Sequence, residues 1–297
     1  MKHEEFGMLV KTLRKKSIDP RGNRWTREAL CREINLTEDQ LGRLERGERK
    51  YLDNQTLHLL ARSFNLTSLE KKEFFCAAAG MADDELFTRE NPEAQLQGLL
   101  NELEDIRIPL MVLDVYADIV AVNTATLNLF LLTPEIIHYA GEIPAGYNLL
   151  NFIYSPQFGC KEIFGSLWPE VATIEVLLFR RSTLRYRHTA YFEYIISSLL
   201  KEKQFNIDWY TSHRYESHYD LTYEHFKYKH PRYGFLSYLA TETIVNTKKG
   251  DLYLLLYNPT DNATKSVFFN LLDQNKNRVY RIADWPEKNF WQEPNNT

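Results

Sequence analysis

Cysteine is scarce in this chain of 297 residues: Cys31, Cys76 and Cys160 are an odd number, widely spaced and without a CxxC pair. That excludes a disulfide framework and supplies no zinc-ligand spacing. Long apolar runs are missing as well. No stretch approaches the ~20 apolar residues that a membrane helix needs, and the charged start MKHEEF lacks a signal-peptide core, so a cytoplasmic location without a membrane partner is expected. Catalytic signatures are equally thin. Gly165-Ser166 has no surrounding GxSxG frame, and there is no glycine-rich phosphate loop or spaced carboxylate pair, so an enzyme is not expected. His188, His213, His218, His225 and His230 follow one another at separations of 25, 5, 7 and 5, with neither HxH nor HxxxH. Neither a metal site nor a cofactor is expected from such spacing.

What is present is unevenly distributed. Residues 1–80 hold 16 Lys and Arg against 12 Asp and Glu, whereas residues 81–297 hold 20 against 28. Aromatics divide in the same place, 6 before and 34 after. With 44% apolar residues the chain can bury two cores. A basic N-terminal domain facing phosphates and an acidic, aromatic second domain are the simplest division.

The N-terminal part reads as helices. Phe6, Leu9, Val10 and Leu13 mark a first apolar stripe that ends before Asp19-Pro20-Arg21-Gly22-Asn23. In WTREALCREINLTEDQLGRLERG, Trp25 to Gly47, Thr26 is a good N-cap and Leu30 and Ile34 form a buried face. Asn35 then tolerates the left-handed conformation that ends a helix. Thr37 and Gln40 make a capping box, and Leu41 and Leu44 give the inner face of the next helix. A fourth helix carries Leu57, Leu60, Ala61 and Phe64, and a fifth runs from Leu69 to Ala79 behind a Ser68 cap. The short pair around Asn35 has helix-turn-helix spacing, which points to double-stranded DNA with the second helix in the major groove.

The run TREALCREINLTEDQLGRLERGER with the later LHLLARSFNLT resembles the Cro/phage-repressor, or XRE, class of helix-turn-helix domains. The resemblance implies that Arg14 pairs with Glu45 and that Glu38, Asp39, Gln40 and Arg43 face the groove. Arginine suits guanine, Gln40 adenine and a carboxylate the cytosine amino group. Asp39 and Arg43, at i and i+4, have the alternative of pairing with each other. Thr37, Arg46, Arg49, Arg24 and Arg27 are the candidates for backbone phosphates. The insert between Ile18 and Arg24 departs from the shortest members of the class.

Beyond an acidic linker at 81–94, a helix over Ala94 to Ile106 is followed by PLMVLD and IVAVN, a β-hairpin turning at Val115-Tyr116-Ala117-Asp118. Thr124 to Leu131 reads as a short helix, and two or three more fall between Pro169 and Glu216. Strand character returns in LTYEHFKYK, GFLSYLATETIVN and DLYLLLYN. The fold class is therefore α+β: a five-helix all-α domain over 1–80, then an antiparallel sheet with inserted helices over 95–262, then a C-terminal extension over 263–297. The order is similar to a PAS-like sensor domain. LQGLLNELEDIRIPLMVLDVYADIVAVNTATLNLF, the Trp209/His213 pair and HPRYGFL look like the ligand-binding domain of MmyB-like transcriptional regulators, which follows a Cro-type domain in that family.

Sixteen aromatics lie within 179–238. A lining of Phe179, Tyr186, Tyr191, Phe192, Tyr194, Trp209, Tyr223, Phe226 and Tyr228 would give an apolar cavity with polar tips, though helical and strand spacing also suits a filled core. Arg180, with Arg181, Arg185 or Arg187, is a candidate partner for the carboxylate of a fatty acid or similar amphiphile. The same arginines also suit an exposed helix face. The expected protein is a ligand-responsive transcriptional regulator that binds a palindromic operator as a homodimer. A protein-interaction module tethered to DNA, without a small-molecule ligand, is the alternative.

Overall fold

Side-chain caps set the boundaries of the helices in the N-terminal segment. These are α1 (His3–Lys16), α2 (Arg27–Ile34), α3 (Glu38–Glu45), α4 (Asn54–Ser63) and α5 (Ser68–Ala78). Thr26, Thr37, Asp53 and Thr67 each accept from a backbone N–H of the helix that follows, satisfying donors that a helix start leaves unpaired. Thr37 with Gln40 and Thr67 with Glu70 close full capping boxes. The cap of α5 is thus Thr67, and Ser68 is already helical, because Glu70 stands three residues after Thr67. Asn35 ends α2 at φ 55°, in the left-handed region expected of it.

The computed structural model describes residues 3–48, 51–80, 91–214, 216, 224–247, 249–272 and 278–290. The chain divides into two compact units: Met1–Leu86 with Leu177–Glu193 and Thr211–Glu216, and Phe87–Val176 with Tyr194–Tyr210 and Ser217–Thr297.

In the first unit Leu9, Leu30, Ile34, Leu41, Leu44, Leu60 and Phe74 share one core with Leu184. Helix α1 crosses α3 closely. A Cβ at Gly7 would stand 2.5 Å from the Leu44 carbonyl oxygen, so only glycine allows the crossing. The insert after Ile18 closes on itself: Ile18 and Arg24 form a β-bridge, and the Asp19 carboxylate accepts from the Arg21 and Asn23 N–H groups.

The later segment enters this unit through a buried ion cluster. Glu70 has no exposure. Arg180 Nη2 lies 2.9 Å from its Oε2, and Arg187 pairs with its other oxygen. Burial alone would raise the Glu70 pKa, but the Arg180 and Arg187 charges override this and hold it at about 2. Arg185 pairs with Glu73 at 3.0 Å, and the Glu216 carboxylate accepts from the Ser68 and Leu69 N–H groups at the start of α5.

The second unit begins with α6 (Pro92–Leu103), β1 (Leu110–Asp114), β2 (Ile119–Asn123) and α7 (Thr124–Leu129). Helix α6 starts two residues before the expected Ala94, because Asn91 caps it and Pro92 suits the first turn. Helix α7 stops short of Leu131, which turns left-handed at φ 54°. Then come α8 (Pro134–Gly141), α9 (Leu149–Tyr154), α10 (Cys160–Phe164), α11 (Trp168–Thr183), α12 (Ala190–Leu199) and α13 (Lys203–Thr211). The strands resume with β3 (Glu224–His230), β4 (Gly234–Val245) and β5 (Leu252–Pro259), and α14 (Asn262–Asn270) and β6 (Val279–Arg281) follow. Helix α11 contributes residues to both units. The six strands pair antiparallel in the order β3-β4-β5-β1-β2-β6.

Every residue of β1 and β2 is buried, so both faces of the central sheet are covered. One face carries Leu110, Val112 and Val120 against Leu96, Leu100 and Trp285. The alternate residues Met111 and Ile119 point the other way. At the hairpin, Asp114 accepts from the Tyr116 and Asp118 N–H groups, and Lys288 pairs with both aspartates. Burial pushes Asp114 up to about 6, against the pull of Lys288. His230 holds the turn from β3 to β4: its Nδ1 accepts from the Arg232 and Tyr233 N–H groups, while Nε2 lies 2.9 Å from the Leu129 carbonyl.

Because the folded-state pKa of Glu70 lies at about 2, below its ordinary 4.5, its contribution is full above pH 4.5 and disappears as the pH falls toward 2. Urea denaturation should show a loss of ~3 kcal/mol over that window from this group. The Glu70→Gln variant should lack that acid limb and be destabilised by ~3–5 kcal/mol at pH 7, since two guanidiniums stay buried without their carboxylate. Wild-type stability of the variant at pH 7 would refute this role.

Candidate functional site

Two regions bear on function, one in each unit. In the first, α3 buries Leu41 and Leu44 and turns Glu38, Asp39, Gln40 and Arg43 to solvent, with Thr37 and Arg46 exposed beside them. Arg24 and Arg27 are also exposed. Arg49 lies outside the described residues. Several of these side chains have partners within the protein. The Gln40 side-chain oxygen accepts from the Thr37 N–H. Arg27 donates twice to the buried Glu45 carboxylate, at 3.0 and 2.8 Å, and Arg14 Nε donates to the same group at 2.5 Å. The Arg14–Glu45 pair implied by the resemblance is therefore present, and Arg27 joins it. Burial would raise the Glu45 pKa, yet these hydrogen bonds leave it lowered.

Glu48 escaped the sequence reading because it stands beyond the end of α3. Arg46 donates to both of its oxygens, at 2.6 and 3.0 Å, and Arg43 Nε lies 3.9 Å away. One exposed carboxylate thus faces two of the arginines expected at DNA.

In the second unit a cavity opens on the sheet face that carries Met111 and Ile119. Its volume is about 50 Å³. Its walls come from Phe130, from Phe152 on α9, Phe164 on α10, Val171 on α11, and from the strand residues Phe226, Tyr238, Leu255 and Tyr257. Glu175 and Cys160 are its other polar lining groups. Burial, and after it the Glu175 charge, push the Cys160 thiol up, so it stays protonated and poorly nucleophilic at neutral pH. Tyr238 Oη lies 3.3 Å from Tyr228 Oη, which gives the buried hydroxyls each other as partners.

Of the aromatics predicted to line a pocket, Phe226 does so. Phe179 and Phe192 stack on each other at 6.1 Å within the first unit, to which Tyr186 and Tyr191 also belong. Arg180 is bound to Glu70. Tyr194 Oη accepts from the Ala145 N–H at 3.0 Å, and Trp209 stacks on Phe205 at 6.0 Å. Tyr228 packs on Phe164, with ring centres 4.9 Å apart. Tyr223 lies outside the described residues. Most of the wall comes from residues 111–175, where apolar residues at irregular spacing gave no signal beyond short helices. Among the described residues no cluster of His, Cys, Asp and Glu could hold a metal ion, and no helix is long and apolar enough to cross a membrane.

Comparison with known proteins bears on this second region. The model of the MmyB-like transcription regulator ligand binding domain matches residues 92–271, from α6 through α14 and including every residue of the cavity wall. No curated protein matches the chain. Since the match covers more than half of the 297 residues, the chain belongs to the family of MmyB-like transcription regulators, defined by their ligand-binding domain.

Proposed function

We propose that the protein is an XRE-type, DNA-binding transcription regulator whose PAS-like second unit takes up a small, mainly apolar molecule and thereby changes operator affinity. The observation that carries this reading is the apolar cavity inside the segment that matches the family's ligand-binding domain. The antiparallel sheet with helices inserted between its first hairpin and its later strands supports the PAS-like description. Two short capped helices around a left-handed Asn35, with a polar outer face on α3, support the helix-turn-helix description. One such unit covers a half-site, so the operator is a palindrome read by a homodimer. An amphiphile such as a fatty acid suits the apolar wall. The competing reading, a protein-interaction module, requires a filled core, and the cavity disfavours it.

Selection from random duplex DNA should enrich a palindrome whose half-sites stand about one helical turn apart. Recovery of no common sequence would overturn the DNA half of the proposal. On the selected operator, Arg43→Ala should lose about 1–3 kcal/mol of binding. Glu48→Gln should bind more tightly than wild type by roughly three- to tenfold at low salt, because it releases Arg43 and Arg46 and removes a negative charge near phosphates. Unchanged affinity in filter-binding titrations of Glu48→Gln would show that Glu48 does not compete with DNA.

Ala240 offers a direct test of the cavity, since it lines the space with a single methyl group. Ala240→Leu should fill part of that volume at a cost of about 1–3 kcal/mol and abolish the rise in Tm that 1-dodecanol gives the wild type. An equal Tm rise in both proteins would place the alcohol elsewhere.

A further inference from the structure

The cavity is small for the molecules that its wall suits. Its volume of about 50 Å³ is well below the ~150 Å³ of an apolar cavity that takes up benzene, and a dodecyl chain has twice the carbons of benzene. An alkyl ligand therefore displaces part of the wall as it enters. A dense interior resists such a change, so the part that yields is the part least tied to the rest.

Residues 156–167 meet that description. They form a short turn (Pro156–Phe158), then α10, then a second turn (Gly165–Leu167), and none of the three starts with a side-chain cap. By contrast, α6, α7, α8, α9 and α14 are each capped by an Asn, Thr or Asp side chain. The backbone bonds around α10 are local: the Phe158 N–H donates to the Ser155 carbonyl, Gly159 to Pro156, Ile163 to Gly159 and Gly165 to Lys161. Gly159 and Gly165 bound the helix at φ 67° and 55°. Packing does not require either glycine. A Cβ at Gly146 would stand 1.7 Å from the Ala140 carbonyl oxygen, whereas a Cβ at Gly165 would meet nothing within 4 Å and one at Gly159 only Glu162 Oε2 at 3.9 Å. Backbone conformation alone explains both, as at hinge positions.

Helix α10 also separates the cavity from water. Cys160, Ile163 and Phe164 line the cavity, while Lys161 and Glu162 between them are exposed. Phe164 closes the inner side against Phe130, Phe226 and Tyr228, with ring centres 6.1, 5.9 and 4.9 Å away. Such ring contacts can part and re-form without breaking a strand pairing. We infer that α10 is the gate of the cavity: it swings about Gly159 and Gly165, and an alkyl ligand holds it displaced. This rests on the ligand-binding role proposed above.

The test uses the full chain and 1-dodecanol, with affinities from calorimetric titration. Alanine in the left-handed conformation of Gly159 penalises the closed gate, and the swing relieves it. Gly159→Ala should therefore populate the open gate more and bind 1-dodecanol about five- to thirtyfold more tightly than the wild type, although the variant without ligand is less stable. Gly234→Ala is the control. It carries a similar penalty, at φ 77° with nothing within 4 Å of its Cβ, in the turn from β3 to β4, and should leave the affinity unchanged. A second measurement needs no variant: saturating 1-dodecanol should speed hydrogen exchange at the Ile163 and Gly165 amides of the wild type and not at those of β1. Equal or weaker binding by Gly159→Ala, equal tightening by Gly234→Ala, or unchanged exchange at Ile163 and Gly165 with 1-dodecanol bound would each overturn the gate and leave the ligand-binding role standing. Failure of 1-dodecanol to bind the wild type would remove that role, and the inference with it.

Discussion

A carboxylate with no access to water has to be neutralised, and Glu70 is neutralised by two guanidiniums that the chain supplies 110 and 117 residues later. That requirement shapes the first unit. Glu70 also closes the capping box of α5, so the cluster acts at the start of a helix whose Phe74 and Ala77 lie in the core. Removing the carboxylate would leave two buried guanidiniums without it, in a medium that penalises charge heavily. Residues 177–193 consequently belong with the N-terminal helices, and Leu184 shares their core. Helix α11 serves two purposes: Val171 and Glu175 line the cavity, and Arg180 completes the Glu70 cluster.

This division of labour explains how far the sequence was legible. Helix starts in residues 1–80 depend on contacts three residues apart, and Thr26, Thr37 and Asn35 could be read directly. Arg14–Glu45 spans 31 residues and was reached through the family resemblance, which encodes such a pairing. The Glu70 cluster was not legible. An arginine at helical spacing reads as an exposed face or as a ligand partner, and nothing local reveals a buried acid more than a hundred residues away. Ser68 misled for a smaller reason: Thr67 and Ser68 are both good caps, and the position of Glu70 decides between them.

The cavity was harder still. Its wall draws on β1, β2, β3, β4 and β5, on α9, α10 and α11, and on residues near the end of α7. Residues at irregular intervals in short helices carry no periodic signal, so the aromatic-rich stretch 179–238 drew attention to side chains that mostly pack or pair within the protein. Phe226 was named only as one aromatic of that stretch, and on β3 it lies buried between exposed neighbours. The fold class and the ligand-binding family were nonetheless readable, because the hairpin, the inserted helices and the later strands keep a distinctive order.

The central claim is that occupancy of the cavity and affinity for DNA are linked. The direct measurement is the affinity of the full chain for its selected operator, at fixed salt, with the cavity empty and with 1-dodecanol saturating it. A change of roughly 5- to 150-fold is the range expected of coupled sites. Equal affinity in the two states, with 1-dodecanol shown to be bound, would contradict the account.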